Sequence, residues 1–125
     1  MSGPDTTATE GPAVTLASPP MRSRLPNRRA HWLLDFEHDG HRYTAGIGRF
    51  PSGDLAEIFI DTAKNGTALS VAGRDAAVAA SLCLQFGCPP DVLRKALARN
   101  SDGSPGGALS RLLDILASET TGGEP

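Results

Sequence analysis

The sequence contains only two cysteines, Cys83 and Cys88, among its 125 residues. This scarcity excludes the disulfide-rich framework of small secreted proteins and predicts free thiols in a reducing compartment, by default the cytoplasm. Because no second cysteine pair is present to complete a zinc site, we expect no metal at the cysteines. We interpret Cys83 as a small side chain on an apolar helix face, with a redox-active pair as the alternative.

Long apolar runs and an excess of charge of one sign are also lacking. No run approaches the ~20 residues needed to span a membrane, and the N-terminal region has no apolar core typical of a signal peptide. The formal net charge is −2, so no overall basic field indicates nucleic-acid binding. Contact with RNA or an acidic partner is expected only through an arginine-rich segment that contains Arg22, Arg24, Arg28 and Arg29.

Apolar periodicity is missing at both ends of the chain. Residues 1–29 are dominated by Pro, Gly, Ser and Thr, and residues 118–125 have the same character. Such segments bury too little apolar surface to offset the entropy lost on ordering, so we predict disordered tails, the first with a basic end. One domain over residues 30–117 remains. It is too short for a catalytic barrel with its own substrate pocket, so we expect no catalysis by this chain alone.

Three strands are predicted in the first half of this domain. Residues 31–36, 42–50 and 55–61 are short apolar or alternating segments separated by turn residues. The first turn contains an Asp-Gly pair, the strongest short hairpin signal, and the second is Pro-Ser-Gly-Asp at 51–54. Consecutive strands joined by tight turns predict an antiparallel meander.

Three helices are predicted after the strands. The first covers residues 67–86, with Thr67 as its N-cap and Gly87 just beyond its end. Helical spacing places Ala72, Ala76, Ala79, Cys83 and Phe86 on one apolar face of this helix, and its nearly apolar middle predicts that it is covered on more than one side. Residues 91–99 and 108–117 predict the second and third helices. The order of elements predicts an α+β domain in which three helices pack on one face of the sheet.

The stretch around Gly46 and Gly48 raises the question of a phosphate-binding loop. A dinucleotide fingerprint needs a third glycine and a helix after it, whereas Pro51 and a strand follow here. We therefore interpret the two glycines as strand residues at a point where the backbone twists or a helix packs closely.

A phosphate site is better placed in the turn between the third strand and the first helix. Lys64 supplies charge, Gly66 relaxes the turn, and Thr67 opens a helix whose free N–H groups can hold an anion. These three residues are the predicted anion- or nucleotide-binding site, and an ordinary capped turn is the alternative. No catalytic residue is predicted, because no serine lies on a nucleophile elbow.

Three histidines gather around the first predicted hairpin. Together with nearby carboxylates, His31, His38 and His41 are the ligand types of a weak metal site. Histidines in a polar turn are more often solvated, so we expect no metal there.

In their order, these features resemble a known family. The segments YTAGIGRFPSGDLAEIFIDTAKNGTAL (43–69) and RDAAVAASLCLQFGCPPDVLRKAL (74–97) are similar to the TSCPD-type domain. That domain occurs at the C-terminal end of cobalamin-dependent (class II) ribonucleotide reductases and in small free-standing proteins. The matching features are Glu57 before an apolar strand, the strand-to-helix turn, and SLCLQFGCPPDVL at 81–93. The Thr-Ser-Cys-Pro-Asp signature itself is absent, and both cysteines stand where the family pattern has apolar residues.

The resemblance implies a stand-alone accessory or regulatory domain in deoxyribonucleotide supply for DNA synthesis. It implies docking to the large subunit of a ribonucleotide reductase, or self-association through the first helix, whose residues 76–84 are apolar nearly all round. It implies no cobalamin on this chain, since the cofactor enters only through the related reductase. The alternative function is a small phosphate- or nucleotide-binding protein that uses the turn from Lys64 to Thr67.

Overall fold

The computed structural model describes residues 21–26, 31–63 and 66–121. Within these ranges, a three-stranded antiparallel sheet, whose strands are neighbours in chain order, is followed by helices, so the predicted α+β meander is confirmed. The elements are β1 (Trp32–His38), β2 (His41–Arg49), β3 (Leu55–Thr62), α1 (Ala68–Gln85), α2 (Pro90–Ala96) and α3 (Ala108–Thr121).

Turn residues set the register of the sheet. Asp39 and Gly40 both have positive φ angles, 51° and 78°, which is the combination that a two-residue type I′ turn requires. This turn pairs His38 with His41 and so aligns β1 with β2. In the second turn Gly53 has a φ of 96°, which a glycine adopts without steric strain.

One face of the sheet forms the core together with α1 and α3. Alternating residues of β2 are buried on this face, namely Tyr43, Ala45 and Ile47, and so are Ile58 and Ile60 of β3. Three buried leucines of α3 complete this core: Leu112, Leu113 and Leu116. Removing large apolar side chains of this kind from water contributes about 1.5–3 kcal/mol each, which makes this layer the main source of stability.

The buried face of α1 differs from the predicted apolar face. Ala72, Ala79 and Phe86 are exposed, and the buried residues are Ser70, Gly73, Ala77, Ala80, Ser81, Leu84 and Gln85. The prediction was wrong because alanines occur all round this helix, so apolar spacing does not distinguish its sides. The side that packs is selected by Ser81 and Gln85, whose polar groups bond to the sheet.

The ends of the helices follow local capping residues. The Thr67 hydroxyl accepts a hydrogen bond from the Ser70 N–H at 3.0 Å, and Gly87 has a φ of 102°, so the predicted cap and terminator of α1 are confirmed. The second helix ends at Ala96, before the predicted boundary, and α3 continues to Thr121, beyond it. No helix in the described ranges combines the length and apolar character needed to cross a membrane.

The described end of the N-terminal segment contacts α1. The Ser23 N–H donates to the Gln85 carbonyl at 2.7 Å, and Arg22 Nε donates to Gln85 Oε1 at 2.6 Å. The remaining residues predicted as tails, 1–20, 27–29 and 122–125, lie outside the described ranges, so their disorder stays a prediction.

Candidate functional site

The predicted anion site lies in the turn between β3 and α1. Lys64 is outside the described residues, so its side chain is not placed. Gly66 has a φ of 81°, and Thr67 caps α1 through the Ser70 N–H. The described part of this segment is therefore a capped strand-to-helix turn, and anion binding by Lys64, Gly66 and Thr67 stays a prediction.

Gly46 and Gly48 lie where side chains of the neighbouring strand cross the sheet surface. A Cβ on Gly46 would lie 3.3 Å from Phe59 Cδ2, and one on Gly48 would lie 3.1 Å from Glu57 Oε1 and 3.2 Å from His31 Cδ2. The glycines make room for these side chains on the outer face of the sheet, opposite the helices. Among the described residues, the close neighbours of both glycines are therefore side chains on the outer face of the sheet, and no helix packs against them.

A buried carboxylate, that of Glu57, lies on the outer face of the sheet. Glu57 is 7% exposed and its Oε1 lies 3.1 Å from His31 Nε2, while the His31 ring meets Phe59 edge-on at a centroid distance of 5.3 Å. His38 lies instead near Asp39, at 3.4 Å. Across the ranges that the structure describes, no three His, Cys, Asp or Glu side chains come close enough together to hold a metal ion.

A row of apolar side chains on α1 faces solvent. Its members, which we name the α1 stripe, recur at helical spacing and are 39–57% exposed: Val71, Val78, Leu82 and Phe86. Phe59 of β3 is 46% exposed and lines a groove of about 310 Å³ together with Val78. The stripe and the groove share Val78 and so form one apolar surface beside the sheet edge. Contiguous apolar surfaces of this kind mark interaction sites.

Beside the stripe, α1 covers part of the edge strand β3 with hydrogen bonds. The Ser81 hydroxyl accepts from the Ile58 N–H at 2.8 Å and donates to the Ile58 carbonyl at 3.1 Å. Gln85 Nε2 donates to the Ala56 carbonyl at 3.0 Å. An open strand edge offers its N–H and C=O groups to other chains. Ser81 and Gln85 therefore oppose strand addition at this part of β3.

A cleft of about 530 Å³ opens between the β2–β3 turn, α2 and α3. Leu55 is among its apolar lining residues, and Arg49 and Arg94 line it too. Arg94 donates to Asp91 at 2.8 Å and to Asp114 at 3.4 Å. The charge of Arg94 is therefore balanced within the fold.

Asp114 links α3 to the segment that follows α2. Its carboxylate accepts two hydrogen bonds from Arg99, at 2.6 and 2.7 Å, and one from Arg94 at 3.4 Å. These donors, Arg99 first, hold the pKa of Asp114 below its ordinary value, against the opposing effect of burial.

Asp114→Asn is expected to lower the free energy of unfolding at neutral pH by about 1 kcal/mol, because the bidentate pairing with Arg99 is lost. Since the folded pKa is depressed, the contribution of Asp114 is present above the ordinary carboxylate pKa of about 4 and is lost as pH falls through the lower folded value. Urea unfolding at about pH 7 and at about pH 2 checks this. A difference between wild type and variant that persists undiminished in acid would contradict it.

The backbones of Cys83 and Cys88 are joined by a hydrogen bond at the end of α1. The Cys88 N–H donates to the Cys83 carbonyl at 3.0 Å, and the Gly87 N–H donates to the Leu84 carbonyl at 3.1 Å. This pair of bonds is a Schellman motif, in which side chains near its two ends meet. Here those residues are the half-buried Cys83 and Cys88, and the Cys88 thiol donates to the Pro89 carbonyl at 3.6 Å. The sequence interpretation missed this approach of the two cysteines, although Gly87 indicates it.

Three curated proteins that match the chain share one name. The chain is 40% identical over 68 residues to a vitamin B12-dependent ribonucleotide reductase of Agrobacterium fabrum, and the match covers 54% of this chain and 5% of that protein. It is 39% identical over 70 residues to the protein of the same name from Bradyrhizobium diazoefficiens, covering 56% and 6%. It is 32% identical over 74 residues to that of Rhodopirellula baltica, covering 59% and 7%.

These matches relate the chain to a short segment of vitamin B12-dependent ribonucleotide reductases. The chain spans only 5% to 7% of the length of these relatives, so the relation concerns that segment and not a whole enzyme. No protein-family model matches the chain, so its assignment to the TSCPD-type domain stays a prediction. No solved structure matches it.

Proposed function

We propose that this chain is an accessory domain that acts in deoxyribonucleotide supply by docking onto a vitamin B12-dependent ribonucleotide reductase through the α1 stripe. The observation that carries the proposal is the stripe itself, whose large apolar side chains are 39–57% exposed on one side of one helix. Water in contact with such a surface is unfavourable, so the hydrophobic effect favours a partner that covers it.

The surroundings of the stripe have the composition of a protein interface. Phe59 and Val78 line the groove beside the stripe. Asp61 and Arg74 line it too, and Arg74 Nε lies 3.0 Å from Asp61 Oδ1 in an ion pair. An apolar centre with a charged rim is the usual anatomy of an interface between proteins. At the adjacent strand edge, the Ile58 N–H already donates a hydrogen bond to the Ser81 hydroxyl. The partner is therefore expected to contact side chains rather than add a strand to the sheet.

The choice of partner rests on sequence relation. The matched segment makes up 5% to 7% of each reductase, and in those proteins the remainder of the reductase belongs to the same chain. Because this chain is related to that segment, we propose that it packs against the remainder of a reductase as the segment does. Vitamin B12 belongs, by their name, to the reductases, and we propose no cofactor for this chain itself.

Val78→Asp is expected to weaken binding to the reductase of the same organism by about tenfold or more, because it places a charge in the centre of the apolar surface. Val92→Asp on α2 is the matched control, since Val78 and Val92 are both 57% exposed and neither change removes a core contact. We expect the control to bind as wild type does. Biolayer interferometry measures the affinities, and reductase assays with and without the chain measure any effect on rate.

Several outcomes would contradict the proposal in different ways. Failure of the wild-type chain to bind, with no change in reductase rate, would refute docking. Equal affinities for wild type and Val78→Asp would remove the α1 stripe from the interface. A wild-type dimer that Val78→Asp dissociates in analytical ultracentrifugation, without reductase binding, would assign the stripe to self-association instead.

A further inference from the structure

The contact between Cys83 and Cys88 is set by the way α1 ends. Gly87, with a φ of 102°, reverses the chain so that the Cys88 N–H reaches the Cys83 carbonyl at 3.0 Å. Glycine adopts this left-handed conformation without the strain that a side chain would bring. The two side chains are thereby placed together at the end of α1, and both are only half-buried. A small reagent in solution can reach such a pair.

We propose that Cys83 and Cys88 form a thiol–disulfide exchange site, which closes a reversible intramolecular disulfide by reducing a small disulfide such as oxidised glutathione. The Cys88 thiolate, which lies outside the helix, attacks one sulfur of the external disulfide, releases one glutathione thiol and becomes a mixed disulfide. Cys83 then attacks Cys88 Sγ, and the second glutathione leaves as a thiol. Two electrons and two protons pass from the cysteine pair to glutathione, so the exchange balances.

The closeness of the two cysteines favours this order of attack. The neighbouring Cys88 thiol first, then burial and the charge of Cys88, raise the pKa of Cys83, which disfavours Cys83 as the first attacking thiolate. Conversion of Cys88 to a mixed disulfide removes the neighbouring thiol that raises this pKa. Cys83 is then adjacent to its target in the same chain, so ring closure is an intramolecular step. Neither cysteine belongs to the α1 stripe, and the exchange can be tested without the reductase.

Mass spectrometry of the full chain tests the site after equilibration with mixtures of reduced and oxidised glutathione, acid quenching and alkylation of the remaining thiols. Wild type is expected to pass from dithiol to intramolecular disulfide with little mixed disulfide present. Cys83→Ser is expected to accumulate the mixed disulfide on Cys88 because it lacks the second thiol. A wild-type chain that carries glutathione on both cysteines would overturn the proposal. A wild-type chain that stays reduced, at a ratio of oxidised to reduced glutathione that modifies Cys83→Ser, would also overturn the proposal.

The same glutathione equilibration is repeated in concentrated urea, where the chain is unfolded. The comparison shows whether the folded structure favours the disulfide beyond the effect of two cysteines being five residues apart, and it does not depend on a variant that folds. We expect the equilibrium constant for the disulfide to be about tenfold or more larger in the folded chain than in the unfolded chain. By linkage, the equilibrium constant for folding of the oxidised chain should exceed that of the reduced chain by the same factor, and urea unfolding measures this difference. A constant that is equal or smaller in the folded chain would show that the end of α1 does not prepare the pair for exchange.

Discussion

Ser81→Ala is expected to lower the free energy of unfolding by about 3 kcal/mol. Ser81 is 9% exposed, and its hydroxyl bonds to both the N–H and the carbonyl of Ile58, at 2.8 and 3.1 Å. Alanine removes both bonds and leaves these backbone groups under α1, where water does not replace the hydroxyl. Each buried group without a partner costs about 1–3 kcal/mol. Urea denaturation followed by circular dichroism measures the difference.

Ser70→Ala is the matched control for this prediction. Ser70 lies on the same buried side of α1 and is fully buried, but its Oγ has no hydrogen-bond partner among the described residues. Alanine also has a higher helix propensity than serine. We therefore expect Ser70→Ala to be neutral or stabilising. Equal losses for the two variants would show that bonding to the edge strand does not hold α1 on the sheet.

The sheet could be predicted from sequence because its signals are local. Asp39 and Gly40 determine a turn whose backbone angles suit few other residue pairs. Alternation along β2 and β3 needs only a period of two, and the pleat translates it directly into a buried and an outer face. These signals act over a few residues of chain, so contacts from other parts of the fold did not override them.

The packing side of α1 could not be predicted, because it depends on contacts between residues far apart in sequence. Ser81 bonds to Ile58 across 23 residues, and Gln85 bonds to Ala56 across 29. Serine and glutamine are ordinarily exposed, so the residues that select the buried side resemble residues of a solvent face. Their burial is tolerated because the strand edge supplies partners for their polar groups.

The same residues account for part of the resemblance noted in the sequence. Within SLCLQFGCPPDVL at 81–93, Ser81 and Gln85 cover the edge of β3, and Gly87 ends α1. This segment therefore joins helix to sheet and reverses the chain, which are structural roles. Relation to a segment of the reductases accordingly requires no catalytic group in this chain.

The candidate sites were predictable only in part. A glycine just after a helix, here Gly87, indicates a chain reversal that brings the residue before it in the last turn, Cys83, close to the residue after it, Cys88. The interpretation of Cys83 as an apolar helix residue left this approach unnoticed. Val78 and Leu82 were included in an apolar segment without any indication that they face solvent. Their exposure follows from the side of α1 that packs, so a surface prediction could not precede knowledge of the tertiary contacts.

Gly106→Ser is expected to lower the free energy of unfolding by about 2 kcal/mol. Gly106 lies between α2 and α3, and an added Cβ would lie 2.9 Å from the Ala98 carbonyl oxygen, which also accepts the Gly106 N–H at 3.1 Å. The obstacle is backbone, which cannot rotate away as a flexible side chain can. Relief of the overlap must move the chain next to Arg99, whose two bonds to Asp114 join this segment to α3.

Gly107→Ser is the matched control, because it is the same substitution one residue later. Nothing lies within 4 Å of a Cβ added at Gly107, and its carbonyl accepts the Arg111 N–H at 3.0 Å as α3 begins. Serine is favoured at such a position, so Gly107→Ser should be neutral or slightly stabilising in thermal unfolding. Equal destabilisation by the two variants would contradict the steric explanation. A neutral Gly106→Ser would show that the loop shifts freely and that the Arg99–Asp114 pair does not fix its path.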